Sequence, residues 1–163
     1  MKKLKELSRE YLLARKKFRD TTDRDPLLSG NDNIVGRIGE FIAAQFLKKE
    51  LKRRNVVKNQ SPVEKGYDIV ADGNRVSVKT ISAENTSGRT TPIKEPWDEL
   101  LLVELGENSR VLRIGYLTIK GFRMYSRYRA GWFPVASRSM FSKNNLIGEK
   151  GKIFVGSRVE EYL

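Results

Sequence analysis

The sequence predicts a mixed α/β domain in which one long helix packs on a β-sheet. Three observations predict this fold class. Apolar residues recur with the period of a helix over residues 34–51, two short strand-like segments flank the dipeptide Asp72-Gly73, and a nearly unbroken apolar run covers residues 97–105. With 163 residues, 39% of them hydrophobic, the chain is long and apolar enough to bury a core of its own.

Composition narrows the chemistry that this domain can perform. The chain has 32 Lys and Arg residues against 20 Asp and Glu residues, and its net charge of +12 favours a polyanionic partner, most commonly nucleic acid. It has no Cys and no His, which excludes disulfides, thiol nucleophiles, zinc fingers and imidazole catalysis. Any metal site must therefore be built from oxygen ligands, which favours Mg²⁺ or Mn²⁺.

The sequence also carries an expectation about the compartment. No apolar run approaches the ~20 residues that a membrane span needs. The start, Met1 to Glu6, carries charge with no apolar signal core after it. We therefore expect an intracellular, cytoplasmic protein with no membrane partner, although its basic charge also fits a membrane-surface protein.

Residues 1–30 are predicted to form a basic helix and a linker, ahead of a single domain over residues 31–163. Within the first segment, residues 3–19 combine an apolar stripe with Lys and Arg elsewhere. Such a helix either docks on the core as a solvated surface helix, or tracks phosphates or forms a dimer. Residues 21–33 are polar and include Pro26, which predicts the linker.

The helix predicted over residues 34–51 contains an acid between apolar positions. Its apolar face consists of Ile34, Val35, Ile38, Phe41, Ile42, Phe46 and Leu47. Gly36 and Gly39 are poor helix residues that each cost roughly 1 kcal/mol relative to Ala, so they predict a close approach to another element. The acid is Glu40, and its simplest interpretation is a solvated helix residue.

Two strands and a tight turn are predicted over residues 67–81. Residues 67–71 and 75–81 are rich in Val, Ile and Tyr, which suit a pleated surface. Asp72-Gly73 between them accepts the positive φ angles of a two-residue hairpin loop. The sequence therefore predicts a β-hairpin at this point.

The loop length decides which side chains share a face of this hairpin. With a two-residue loop at Asp72-Gly73, Asp68 lies opposite Ser77 and shares a face with Lys79. A loop shifted by one residue keeps this grouping, whereas a three-residue loop sends Asp68 to the other face. A carboxylate that can hold a divalent cation through oxygen, beside a lysine that can neutralise charge building on a phosphorane, suits a metal-dependent phosphodiesterase. An ordinary hairpin with a solvated acid and lysine fits the same spacing.

The remaining elements complete the sheet and its surface. Residues 82–96 are polar and predict a long loop, a lid or clamp that follows the proposed site. Residues 97–105 predict a buried central strand and residues 111–118 the next strand. Residues 120–129 interleave basic and aromatic side chains, which can stack bases and hold phosphates, although Phe122, Met124 and Tyr125 also suit a core. A short helix near residues 137–142 and a last strand over residues 152–155 end the chain.

The predicted elements follow one another as a helix with Gly-Glu, a strand with an acid, a strand containing Val-Lys, a loop and a buried strand. Three motifs within this order resemble those of the PD-(D/E)XK nuclease superfamily, which includes restriction endonucleases and archaeal Holliday-junction resolvases. The motifs are Gly39-Glu40, Gly66-Tyr67-Asp68 and Val76-Ser77-Val78-Lys79. With Asn59-Gln60-Ser61 and Trp97-Asp98-Glu99-Leu100-Leu101 added, the pattern looks like small bacterial and phage-type members. The resemblance covers about residues 34–103 and implies a restriction-endonuclease-like mixed β-sheet flanked by helices. It also implies a Mg²⁺- or Mn²⁺-dependent DNA endonuclease of restriction, repair or recombination type.

The resemblance implies a role for each motif residue. Asp68 and Glu40 would be metal ligands, Lys79 would assist catalysis, and the backbone carbonyl of Val78 and water would fill the metal's coordination shell. The chain departs from the family at Ser77, where a neutral hydroxyl replaces the second acid and removes one formal charge of metal binding. This departure leaves open a catalytically inactive nucleic-acid-binding or regulatory protein on the same fold.

Two further expectations concern partners. Duplex DNA would be held mainly through its phosphates, by basic residues spread over the surface. The predicted contacts are Lys48, Lys49, Arg53, Arg54, Arg89, Arg123 and Arg127. A homodimer is left open, and so is a third interpretation, a basic protein-interaction or ribosome-associated module whose hairpin has no catalytic meaning.

Overall fold

The chain forms a six-stranded mixed sheet flanked by helices, which confirms the predicted fold class. The computed structural model describes residues 34–59, 66–83, 85–106 and 110–162, together with residues 3, 14, 17, 18 and 20–22. The strands are β1 (Val56–Lys58), β2 (Ile69–Ala71), β3 (Asn74–Ile81), β4 (Arg89–Pro92), β5 (Glu99–Leu105), β6 (Val111–Thr118), β7 (Val135–Ser137) and β8 (Lys152–Val155). The helices are α1 (Ile34–Lys49), α2 (Ile119–Arg123), α3 (Leu146–Lys150) and α4 (Ser157–Glu160), with a 3₁₀ helix at Arg138–Phe141.

The sheet has the strand order β1-β2-β3-β5-β6-β8. Strands β3 and β5 are parallel, and every other neighbouring pair is antiparallel. All seven residues of β5 are buried, as the apolar run predicted for a central strand. Strands β4 and β7 pair with each other in a separate two-stranded sheet.

Each face of the sheet carries its own core. On one face, α1 packs over Val76 and Val78 of β3 and their neighbours. On the other face, Ile81 of β3 joins a cluster with Trp97 and Phe122. Because side chains alternate along a strand, Ser77 and Lys79 point toward this second face.

Helix α1 lies unusually close to β3 at Gly39. A Cβ atom at this glycine would lie 1.7 Å from Thr80 Oγ1, which is far inside contact distance. The close approach that the sequence predicted is therefore confirmed at Gly39, and it brings the next residue, Glu40, to the edge of β3.

The N-terminal prediction falls mostly outside the described residues. Of the helix predicted over residues 3–19, the described residues are helical, and residues 20–22 are helical as well, although a linker was expected from Thr21 onward. The hydroxyl of buried Thr22 accepts a hydrogen bond from Arg37 of α1 at 2.8 Å, and the Arg37 guanidinium lies 6.0 Å from the centre of the Phe18 ring. These contacts place Phe18 and Thr22 against Arg37 of α1.

Of two expectations about the second half of the chain, one was wrong and one was confirmed in part. Residues 82–96 are not all loop, because β4 lies within them and pairs with the distant β7. In the basic and aromatic segment, Phe122 and Tyr125 are core residues but the Met124 side chain is 61% exposed. No helix in the described part of the chain is long and apolar enough to cross a membrane.

Candidate active site

The predicted hairpin register is confirmed. Ala71 pairs with Asn74, and Ile69 pairs with Val76, so the loop has two residues. Both loop residues have positive φ, 49° at Asp72 and 87° at Gly73. This is the conformation that favours Asp-Gly in tight hairpins, and it fixes which residues of β2 and β3 face each other.

Asp68 immediately precedes β2, and backbone groups hold it on both sides. Its N–H donates to the Val76 carbonyl at 2.9 Å, and its own carbonyl accepts from the Asn59 N–H at 2.8 Å. Its carboxylate oxygen Oδ2 accepts from the Val78 N–H at 2.6 Å. The carboxylate thus occupies the position on β3 where a continuing strand would have paired.

This arrangement leaves one edge of β3 open. Among the described residues, the β2 ladder stops at Val76, and no other strand pairs with this edge farther along β3. The N–H and C=O of one strand residue point to the same edge. Because the Val78 N–H points to Asp68, the Val78 carbonyl also points to the open edge, beside that carboxylate.

A cavity of about 210 Å³ at the open edge brings the predicted site residues together. Glu40 from α1, Asp68 from the position just before β2 and Lys79 from β3 all line it. Glu40 reaches the cavity from one face of the sheet and Lys79 from the other, because the unpaired edge is accessible from both faces. Thr90 and Thr91 of β4 line the cavity as well.

Ser77 lines an adjoining cavity of about 330 Å³ rather than the first one. Its side chain is 2% exposed, and it shares this second cavity with Asp68, Lys79 and Lys94. Ser77 therefore lies next to the carboxylate of Asp68 and the amine of Lys79, as the hairpin register predicts. Its side chain supplies a hydroxyl there.

Lys79 is held by β4. Its Nζ donates to Thr91 Oγ1 at 3.0 Å. Burial lowers the pKa of Lys79, the charge of Asp68 opposes this shift, and the charge of Lys94 adds to it. The ammonium group is thus positioned, partly desolvated and close to the carboxylate of Asp68.

Glu40 forms an ion pair that the sequence did not predict. Its Oε2 lies 2.8 Å from Nζ of Lys58, and the two side chains are 20% and 11% exposed. Burial raises the pKa of Glu40, the ion pair with Lys58 opposes that rise, and the charge of Asp68 adds to it. Burial also raises the pKa of Asp68, against the effects of the Val78 N–H, Lys79 and Lys58. The two carboxylates are therefore near neighbours in a largely buried site.

Lys58 is the site residue that sequence reasoning missed. It follows a basic run at residues 48–54, and its residue type alone predicts another solvated lysine. Val56 is 8% exposed and Val57 is 62% exposed, so the strand alternation directs Lys58 inward with Val56. Alternation from Val56 is the signal that could have identified it.

The residues of the cavity fit a hard divalent cation. Mg²⁺ is commonly held by one or two carboxylates, with water and substrate phosphate completing its shell. Asp68 and Glu40 supply two carboxylates, and the Val78 carbonyl supplies a third oxygen on the same edge. No cluster of three or more Asp, Glu, His or Cys residues that could hold a metal occurs in the described part of the chain.

The predicted phosphate contacts fall into two groups. Three are engaged with acids: Lys49 with Glu161 at 3.8 Å, Arg123 with Glu95 at 2.9 Å, and Arg53 with Glu99. Glu99 is 4% exposed and also accepts from Asn74, so Arg53 has a structural role that the sequence did not predict. The second group is exposed and consists of Lys48, Arg54, Arg89 and Arg127.

The chain was compared with known families, curated proteins and solved structures. No protein-family model matches the chain, and no curated protein matches it. Among solved structures, the chain is similar to a restriction endonuclease in complex with substrate DNA. The identity is 16%, the TM-score is 0.41, and the match covers 93% of this chain and 89% of that one. The function proposed for the cavity therefore rests on the cavity's own residues.

Proposed function

We propose that the protein is a Mg²⁺- or Mn²⁺-dependent DNA endonuclease whose site is the cavity at the open edge of β3. The observation that carries the proposal is the convergence of Glu40, Asp68 and Lys79 on one cavity. These side chains come from three separate parts of the chain. A solvated hairpin alone would place Asp68 near Lys79 but would not bring Glu40 to them. The net charge of +12 supplies the attraction for a polyanion that such a reaction needs.

Each residue of the cavity has a role in this proposal. Asp68 and Glu40 would hold the cation, together with the carbonyl of Val78. When bound, the cation supplies polarisation of the scissile phosphate and a water of lowered pKa. The Val78 N–H keeps the Asp68 carboxylate oriented, since it already occupies one lone pair of Oδ2.

Lys79 would stabilise the charge that builds on the phosphate during hydrolysis. Its Nζ is anchored by the Thr91 hydroxyl, so little reorganisation is needed when a phosphate enters. The partly buried setting strengthens its interaction with a phosphate relative to a solvated lysine. The cavity wall formed by β4 thus belongs to the proposed site.

A second function has a specific observation in its favour. Ser77 provides no charge, and Glu40 is already paired with Lys58. Two carboxylates facing two lysines make a site with no net charge for attracting a cation. A catalytically inactive protein that binds nucleic acid on this fold is the alternative that these facts favour.

The experiment is cleavage of plasmid, nicked and branched DNA with Mg²⁺ or Mn²⁺. We expect the wild type to cleave, Asp68→Ala to be inactive, and Lys79→Ala to lose about 10²–10³ in rate. DNA binding should be retained in both variants. Glu161→Ala and Lys150→Ala are the matched controls, because they remove the same charges from surface ion pairs. A wild type that binds DNA but leaves all three substrates intact would establish the binding-only alternative.

A further inference from the structure

We propose that Lys58 is a built-in counter-ion for Glu40 that a divalent cation must displace, so that Lys58 sets how tightly the site binds that cation. This inference rests on the proposed function, because it takes Glu40 as a metal ligand. It assigns a role to a lysine that lies outside the acid and lysine motifs of the chain.

The position of Lys58 is fixed by the sheet. Strand β1 is antiparallel to β2, with Lys58 opposite Ile69, the residue next to Asp68. The Asn59 N–H then bonds the Asp68 carbonyl, which ties the end of β1 to the site. With its neighbour Val57 outside, the Lys58 side chain points inward and is only 11% exposed.

From this position Lys58 acts on both carboxylates. Its Nζ is 2.8 Å from Glu40 Oε2, and its charge is close enough to lower the pKa of Asp68 as well. The ammonium group therefore supplies positive charge at the place where two carboxylates would otherwise repel each other. If Lys58 were absent, a divalent cation would supply this positive charge.

The charge balance makes the two cations competitors. Glu40 and Asp68 contribute two negative charges, and Lys58 and Lys79 contribute two positive charges, with Ser77 adding none. The positive charges of Arg37 and Lys94 also act on Glu40 and Lys79. A divalent cation that uses Glu40 must break the Lys58–Glu40 ion pair and then lie near the positive charge of the Lys58 ammonium group. Both effects are unfavourable in a mostly buried site.

The test measures Mn²⁺ binding to the DNA-free protein by calorimetry. We expect Lys58→Met, which keeps the length of the side chain and removes its charge, to bind Mn²⁺ about tenfold tighter than the wild type. Lys58→Arg keeps the charge and should stay within about threefold of the wild type. Lys150→Met is the control, because it also removes a lysine from an ion pair, here with Glu149 on α3. Helix α3 packs against β6 and β8, on the other side of the sheet from β1 and β2, so this change should leave Mn²⁺ affinity unchanged.

A second substitution shows whether the gain passes through Glu40. In Lys58→Met/Glu40→Gln, the tighter binding should disappear, because the carboxylate that Lys58 had occupied is gone. Thermal melting of each variant checks that the fold is intact. Lys58→Met that binds Mn²⁺ no tighter than the wild type, or a gain that survives Glu40→Gln, would overturn the proposal.

These measurements separate the inference from the proposed function. A gain in Mn²⁺ affinity that depends on Glu40, in a protein that cleaves no DNA, would support the counter-ion and reject the nuclease. Cleavage that requires Asp68 and Lys79, with Mn²⁺ affinity unaffected by Lys58→Met, would support the nuclease and reject the counter-ion.

Discussion

Asp68 owes its position to three backbone contacts, with Val76, Val78 and Asn59, rather than to neighbouring side chains. Backbone contacts keep their geometry when nearby side chains are changed, so substitutions at Lys79 or Ser77 can be interpreted as changes in charge. The site can therefore be examined one residue at a time.

Ser77→Glu should convert the site to the charge pattern of the resembled family. The side chain faces a cavity of about 330 Å³ that also contains Lys79 and Lys94, so an added carboxylate has room and two basic neighbours. We expect tighter Mn²⁺ binding and higher cleavage activity at low metal concentration, by about tenfold, because one more oxygen ligand bears charge. Calorimetry and cleavage rates measure the two effects.

Ser77→Gln is the control for that change, because it adds nearly the same volume without charge. It should leave Mn²⁺ affinity close to that of the wild type. If Ser77→Glu instead lowers both affinity and activity, Glu40 already fills the place of the missing acid, and the added charge crowds the site.

At the level of residues, the sequence predicted the acid and lysine of the site but not their counter-ion. Asp68, Ser77 and Lys79 could be grouped because one local feature, the Asp72-Gly73 turn, sets their register. The direction of the Lys58 side chain depends on pairing between β1 and β2. These strands lie ten residues apart in the sequence, so no local turn sets their register. Alternation from Val56 is the local signal for this direction, but a strand of three residues shows it over a single repeat only.

At the level of elements, the contact between α1 and β3 positions Glu40. Replacing a helical glycine with alanine normally stabilises a helix by about 1 kcal/mol. At Gly39 we expect the opposite, a loss of about 1–3 kcal/mol, because the new Cβ would overlap Thr80 Oγ1 and push α1 from the sheet. Denaturant unfolding measures the change.

A second substitution tests the cause of this loss. Thr80→Ala removes the atom that Gly39→Ala would meet first, so the double variant should recover part of the lost stability. A Gly39→Ala protein at least as stable as the wild type would show that α1 does not need this close approach.

The junction of β3 and β5 predicts a dependence of stability on pH. Arg75 donates to Asp98 through its backbone N–H and through its guanidinium, at 2.9–3.0 Å, and these bonds lower the pKa of Asp98. A carboxyl group whose pKa is lower in the folded state stabilises the fold at pH values above its ordinary pKa of 3.8. This stabilisation is lost as the pH falls below 3.8 toward the lower pKa of the folded state.

Asp98→Asn should therefore reduce the unfolding free energy at pH 7 and flatten its fall in acid. The two side chains are 41% and 35% exposed, so solvent screening keeps this contribution small. Urea unfolding at pH 7 and pH 3 measures it, with Glu161→Gln as a control for an exposed ion pair. A variant whose stability falls in acid as steeply as that of the wild type would contradict this account.

Elements with local signals were predicted well, and elements with distant partners were not. Strand β8 was expected over residues 152–155 and lies there, because its apolar run is bounded by glycines. Strand β4 lies in a segment that the sequence predicts as loop. Its sequence, Arg-Thr-Thr-Pro, is typical of a loop, and its partner β7 lies more than 40 residues away. The predicted lid is instead a wall of the cavity.

At the scale of the whole molecule, the basic surface predicts how DNA binding responds to salt. The logarithm of the association constant should fall linearly with the logarithm of salt concentration, with a slope of about −0.9 for each phosphate neutralised. Replacing Arg54 or Arg89 with Ala should reduce the slope by about one contact. Lys152→Ala, at the far edge strand β8, is the matched control and should leave the slope unchanged.

Binding that does not respond to salt would contradict the phosphate contacts. The absence of DNA binding at moderate salt would favour the interpretation as a protein-interaction module. Fluorescence anisotropy with a short duplex at several salt concentrations measures both quantities.

The most direct test of the proposed site is a crystal structure of the protein with Mn²⁺ and a DNA duplex, with the cation located by its anomalous scattering. We expect one Mn²⁺ bound to carboxylate oxygens of Asp68 and Glu40 and to the Val78 carbonyl, a DNA phosphate beside Lys79, and Lys58 moved away from Glu40. A duplex seated on another surface, with no Mn²⁺ in the cavity and the Lys58–Glu40 ion pair intact, would contradict it.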